Sequence, residues 1–307
     1  MKFSAVFCTL LSIATVALAH NGTDTSNEKR QLASVITSCT APNTVALTFD
    51  DGPYDYIYDI ANRINDAGGK ATFFFNGNNW RCIYNFVDAI RYVHSQGHQL
   101  ASHTWSHGDL NTMNRAQLNQ EFEKVEVALK RIAGVTPAFM RPPFGNYNNL
   151  VRQVAAARGQ KVVIWDFDSR DSASPRPSAG QMRSDYGHLL WDVRPNNVLA
   201  LNHEFNHDTV YEVMGQVVEW CQQRGYRMVT VAECLGQQPY QNVGQPENGS
   251  NLQSPDLDHY LVIVVRRDAI SPGGPTLVLY LNEIIPSEEK YDTQPQGTVS
   301  QSAIEDP

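Results

Sequence analysis

Short apolar runs alternate with longer amphipathic stretches between residues 44 and 235. The runs are VALTF (45–49), ATFFF (71–75), HQLAS (98–102), AFMR (138–141), KVVIW (161–165), NVLAL (197–201) and YRMVTV (226–231). Nearly continuous apolar runs of this length are the pattern of parallel strands buried on both faces. The stretches between them carry apolar residues at helical spacing. Arg115–Ala133 places Leu118, Phe122, Val125, Leu129 and Ile132 on one stripe. Ile57–Ala67 stops at Gly68-Gly69, Asn85–Gln96 at Gly97, Tyr147–Arg158 at Gly159 and Thr209–Arg224 at Gly225. Glycine just past the last helical residue is the usual helix stop. Seven βα units predict an α/β fold with a parallel sheet.

The flanks differ. Lys2, the apolar run Phe3–Leu18 and the small residues Ala17-Leu18-Ala19 read as a signal peptide over 1–19, too short for a membrane span. Residues 20–38 form a polar leader, with a processing cut expected after Lys29-Arg30. The folded domain is expected over 39–236 in a secreted protein, extracellular or associated with the cell wall, with no transmembrane segment. Residues 237–307 are rich in Gln, Pro, Ser and Asn and hold ten acidic against three basic residues, which reads as a low-complexity tail. Within it, His259–Val265 and Thr276–Ile285 around SPGGP predict a hairpin over 259–285.

Composition narrows the class. The chain has 307 residues, 42% of them apolar, enough to bury a full core. Its net charge of −8 argues against a nucleic-acid partner. Cys8 leaves with the signal peptide, and the four remaining cysteines favour two disulfides with three possible pairings. Cys39 and Cys234 bracket the regular part of the chain, so the expected pairs are Cys39–Cys234 and Cys82–Cys221. Asn21 and Asn248 head glycosylation sequons.

The candidate chemistry lies at the ends of the apolar runs. HTWSH places His103 and His107 four residues apart, on one face if the segment is helical, and TFDDGP supplies Asp50 and Asp51. Two imidazoles and one carboxylate make a three-ligand site with an open position, as a catalytic zinc requires. Asp50/Asp51, His103/His107, Arg141–Gly145, Asp168–Asp171 and His203 each follow a different predicted strand. Strand ends converge in a βα barrel but spread along an open sheet, so a distorted, incomplete (β/α) barrel of about seven parallel strands is expected.

TFDDGP, HTWSH, RPPFG, DFDSRD and LNH, in that order, resemble the five motifs of the polysaccharide deacetylase family over about residues 40–235. This is the carbohydrate esterase group that shares a domain with rhizobial chitooligosaccharide deacetylase. Cys39, the GNN segment at 77–79 and LNHE look most like secreted fungal chitin deacetylases. The resemblance implies Asp51, His103 and His107 as ligands of Zn2+, with Co2+ or another divalent ion able to substitute. It implies Asp50 as general base, Arg141 as the residue that orients it through an arginine fork, and Phe144 as a backbone N–H donor to the oxyanion. His203 would be the general acid and Asp171 the carboxylate that tunes it, with Asp168 structural. Leu201 and Trp105 would line the substrate pocket, and Trp105 and Trp80 offer rings for stacking on sugars, although burial is the default for any Trp. Ser172 departs from the family, which usually carries Trp there. The implied activity is a monomeric enzyme removing N-acetyl groups from chitin or chitooligosaccharides. Acetylated xylan or peptidoglycan are the alternative substrates, and a non-catalytic chitin-binding protein is the alternative class. The first expectation is open to direct test: N-terminal sequencing of secreted protein should begin at Gln31, and a start at His20 would rule out the processing cut.

Overall fold

The computed structural model describes residues 31–248 and Leu252. The signal peptide, the cut after Arg30, Asn21 and the hairpin at 259–285 lie outside those residues. Among the described residues the strands are β1 (Val35–Ile36), β2 (Thr44–Gly52), β3 (Thr72–Phe75), β4 (Gln99–Ser102), β5 (Val135–Pro137), β6 (Phe139–Met140), β7 (Lys161–Val163), β8 (Phe167–Asp168), β9 (Asn197–His203), β10 (Arg227–Met228) and β11 (Tyr240–Val243). The helices are α1 (Ile57–Asp66), α2 (Val87–Ser95), α3 (Arg115–Ala133), α4 (Asn149–Ala157), α5 (Ala179–Gly187), α6 (Met214–Gln223) and α7 (Val231–Cys234).

All seven predicted runs enter one parallel sheet. Its order is β1-β7-β6-β4-β3-β2-β9-β8, with β10 paired to the start of β2. Among the described residues β1 and β8 do not pair with each other, so the sheet curls into a barrel that does not close. β5 and β11 form a separate antiparallel pair, which carries regular structure beyond residue 236.

Strand alternation sorts the core into two layers. On β2, Val45, Leu47 and Phe49 face outward into the layer under the helices, joined by Phe73, Phe75 and Leu100. Ala46 faces the barrel interior with Phe74, Ala101, Phe139, Val163 and Leu199. The interior is filled by large and small apolar residues together, and the same inward face carries Thr48 and Asp50 at the far end of β2. Helix boundaries follow local chemistry. Asn114 caps α3 in a reciprocal capping box with Gln117, and Gly134 ends it at φ 74°. A wide π-helical turn at Thr209–Val213 precedes α6 within the predicted 209–224 helix. The sequence pattern did not single out α5, whose buried Met182 and Tyr186 lie among polar residues and glycines.

The end at which the strands begin is plugged. The N–H groups of Val231 and Ala232 donate to Thr72 Oγ1 and Gln99 Oε1, each at 2.9 Å, which satisfies the free end of α7 inside the barrel. Cys39 and Cys234 are joined there, with Cα atoms 5.3 Å apart. The expected Cys82–Cys221 disulfide is absent, and both thiols are free. Cys221 sits in the last turn of α6, beside the strand starts, whereas Cys82 follows the opposite end of β3. α1 packs against both α2 and α6 and separates the two regions. Burial pushes the Cys221 thiol up to about 12.

Thiol titration of denatured protein lacking residues 1–19 should return two groups, and native protein should react only at the partly exposed Cys82. Replacing Cys39 with Ser should cost about 2–5 kcal/mol of stability in chemical denaturation.

Candidate active site

Neighbouring residues on a strand point to opposite faces, so Asp50 and Asp51 should diverge. A bulge at the end of β2 prevents this. Asp50 pairs with Phe74 of β3, but the next pair is Gly52 with Phe75, leaving Asp51 as the extra residue. Asp51 adopts φ 67°, and a cis Gly52–Pro53 bond follows. The bulge turns Asp51 toward the same interior as Asp50. His103 enters from the end of β4, with its N–H bonded to Phe75 O at 2.8 Å. The expected helical turn at 103–107 is not formed. Thr104 and His107 have φ 72° and 57°, and the chain reverses irregularly between them. Asn76 holds this reversal, its Nδ2 donating to His103 O at 2.6 Å and Thr104 O at 3.1 Å.

The reversal still brings both imidazoles onto Asp51. Oδ1 lies 3.1 Å from His107 Nε2 and 3.4 Å from His103 Nε2. One ligand atom from each residue falls within 4.8 Å of the others. Neighbouring donors around a tetrahedral zinc at ~2.0–2.1 Å stand about 3.4 Å apart, so the spacing fits. Asp51 Oδ1 is buried and has no hydrogen-bond partner, as expected of an atom reserved for a cation. His103 Nδ1 contacts Arg141 O at 2.8 Å, which assigns the proton to Nδ1 and leaves the Nε2 lone pair facing Asp51. Without a cation the balance is different: burial would raise the Asp51 pKa, but His103 and His107 in their protonated form, with Nε2–H turned to the carboxylate, outweigh it and hold the carboxyl well below the usual carboxylate range.

Arg141 follows β6 and is wholly buried. Its Nη1 donates to Asp50 Oδ1 at 2.8 Å and to Thr48 Oγ1 at 2.6 Å, and Nη2 donates to Ile164 O at 3.0 Å. The fork is therefore divided among three acceptors instead of gripping Asp50 twice. Thr48 was not singled out from sequence, although it stands two residues before Asp50 and so shares its face.

On the other side, β9 pairs His203 directly with Asp50. His203 Nδ1 meets Asp171 Oδ1 at 2.7 Å, and His203 N–H donates to Asp171 Oδ2 at 2.8 Å. Thr209 Oγ1 donates to the same Oδ2 at 2.6 Å. Burial works to lower the imidazole pKa, but the charge and hydrogen bond of Asp171 prevail, helped by Asp50 and Asp51, and raise it to about 9. Asp168 lies off this pair, its Oδ1 accepting Arg170 N–H at 2.7 Å.

The sequence profile of the polysaccharide deacetylase family matches residues 37–163. A chitin deacetylase of a Pestalotiopsis species is 34% identical over 205 residues, covering 67% of this chain and 68% of that protein. The chitin deacetylase of Colletotrichum lindemuthianum is 33% identical over 245 residues, 78% of this chain and 98% of that one. The chain belongs to the polysaccharide deacetylase family. The solved structure of the C. lindemuthianum enzyme superimposes with a TM-score of 0.65 at 31% identity, over 71% of this chain and 98% of that chain. The half-open parallel barrel is thus the fold of the deacetylase family.

The rim residues of this deacetylase fold are placed as follows. Phe144, at φ 59° in the Pro143–Gly145 turn, is 64% exposed, and its ring meets His107 edge to face at 4.8 Å. Leu201 pairs with Thr48 on the inward face, two residues before His203. Trp105 does not offer a stacking face. It is 5% exposed and packed on Gly77, where a Cβ would meet the ring at 1.8 Å. Trp80 is the open ring, 56% exposed, tilted over Phe205 at 5.0 Å, while Phe205 in turn meets His203 at 5.5 Å. Ser172 and Asn248 are exposed. Glu204, next to His203 and given no role when LNHE was read from the sequence, is a fully buried carboxyl, and desolvation raises its pKa to about 8.

A pKa raised from 6.5 to about 9 gives a stability contribution that is complete below pH 6.5 and lost as pH rises through 9. In protein stripped of divalent cations, the His203 imidazole should titrate near pH 9 by NMR. Asp171→Asn should drop that midpoint below 6.5, because burial remains, and the stability gap between the two proteins should narrow from pH 6.5 to 9.

Proposed function

We propose that the protein is a secreted, zinc-dependent N-deacetylase acting on the N-acetylglucosamine units of chitin or chitooligosaccharides, giving chitosan and acetate. The observation that carries this reading is the unpartnered Asp51 Oδ1 between two imidazole nitrogens, flanked by Asp50 and His203. The two fungal relatives named as chitin deacetylases support the choice of polymer. The signal-peptide pattern supports secretion, to the medium or the cell wall.

Asp51, His103 and His107 would hold the ion. When bound, it supplies Lewis acidity that polarises the acetamide carbonyl and eases loss of a proton from water. Asp50 takes that proton as water adds to the carbonyl carbon. Arg141 keeps Asp50 aimed through the bond to Oδ1, which leaves Oδ2 for the proton. The Phe144 N–H donates to the oxyanion, a backbone role that needs no particular side chain. His203 enters protonated, because Asp171 holds Nδ1, and gives its Nε2 proton to the nitrogen as the C–N bond breaks. The nitrogen keeps the bonding pair and leaves as the free amine. The acyl carbon, having gained the water oxygen, leaves as acetate.

Chelation should abolish acetate release from chitin oligosaccharides, and zinc should restore it. Asp50→Asn should lower kcat about 10²–10⁴-fold with cation content unchanged. Acetylated xylan and peptidoglycan fragments, assayed in parallel, decide the polymer. Zinc-loaded protein that releases no acetate from any of them, yet sediments with chitin, would establish a binding protein instead.

A further inference from the structure

The metal-ligand turn has a buried partner that the chemistry above does not use. Glu204 follows His203 at the end of β9 and is completely buried. Its Oε1 accepts the Tyr54 N–H at 2.6 Å, across 150 residues of sequence. Its carboxyl fills the space above Gly52: a Cβ built there would lie 2.4 Å from Oε1, 2.5 Å from Cδ and 2.8 Å from Oε2. Oε2 has no hydrogen-bond partner in the described structure. The two backbone points touched, Gly52 and Tyr54, lie just beyond Asp51 in the chain. Between them is Pro53, which has no N–H to offer.

A bulged residue at φ 67° is not held by the ladder, because the extra residue of a bulge is left unpaired. Something outside β2 and β3 must fix its far side. The near side is fixed by the pairs of Asp50 with Phe74 and with His203. The far side is fixed by Asn76 N–H to Gly52 O at 2.8 Å and by the Glu204 carboxyl. We propose that Glu204 is a positioning residue for the cation site, bracing the Gly52–Tyr54 turn so that Asp51 is turned onto His103 and His107. A long carboxyl side chain is suited to this. It reaches the turn from a neighbouring strand, accepts the one N–H that the turn presents, and lies flat where only a glycine leaves room.

The inference rests on the reading of Asp51, His103 and His107 as cation ligands, so the test measures zinc affinity by competition with a chelating dye, without reference to turnover. Glu204→Leu keeps the bulk and removes the acceptor. Glu204→Asp keeps the carboxylate but shortens the reach to Tyr54. Both should weaken zinc binding at least tenfold, the usual range for outer-shell partners of metal ligands, measured at a temperature where circular dichroism shows each variant folded. Glu204→Gln keeps both shape and acceptor and should bind within threefold of wild type. Wild-type affinity in folded Leu and Asp variants would overturn the proposal and leave Glu204 as packing. A Gln variant as weak as the Leu variant would also overturn it, since charge and not the hydrogen bond would then matter. If the wild-type protein binds no zinc, the ligand assignment itself fails.

Discussion

A guanidinium shut off from water is expensive unless its charge and its donors are answered. Arg141 meets both demands at the centre of the site except at Nε, which has no hydrogen-bond partner among the described residues, and the rest of the arrangement is organised around it. Asp50 supplies the countercharge and accepts from Nη1, Thr48 also accepts from Nη1, and the Ile164 carbonyl accepts from Nη2. The faces of Phe74 and Trp165 lie 4.3 and 5.6 Å from its Cζ. Its own carbonyl faces His103 Nδ1. One residue thus holds Asp50 through its side chain and His103 through its backbone. Replacing Arg141, even by lysine, which cannot divide its donors across a plane, would remove the side-chain half of this and leave the backbone carbonyl in place.

Much of this was readable in the chain. The seven apolar runs are the strands that the pattern predicts because most of them, β2, β3, β4 and β9 above all, are buried on both faces, and such strands leave a continuous signal. The convergence of Asp50, His103, Arg141 and His203 was legible for the same reason. Each stands at the end of a run, and a curled parallel sheet brings run ends together. The alternation along β2 and β9 even predicts that Thr48, Leu201 and His203 share the face of Asp50.

What was not legible is set by backbone that departs from regular periods. HTWSH has helical spacing, yet the imidazoles meet through two left-handed residues, a geometry that spacing cannot distinguish from a helical turn. Asp51 joins Asp50 only through a bulge, and nothing in the letters DDGP separates that bulge from a plain strand end. Trp105 lies in a motif full of functional residues but serves the turn as packing on Gly77. Cys82 and Cys221 failed to pair because an even count says nothing about which end of a barrel each thiol occupies. Glu204 entered only as the last letter of LNHE and carried no role, since a lone acid beside a candidate histidine reads as surface until its burial is seen.

The covalent cross-link between Cys39 and Cys234 sits where the strands begin, and the reactive side chains sit where they finish. Durability and turnover are thereby assigned to opposite poles of one molecule. An engineer can harden the first pole with better packing around Val231 and Ala232 without retuning the second. The reverse does not hold, because the rim depends on buried charges that tolerate few exchanges.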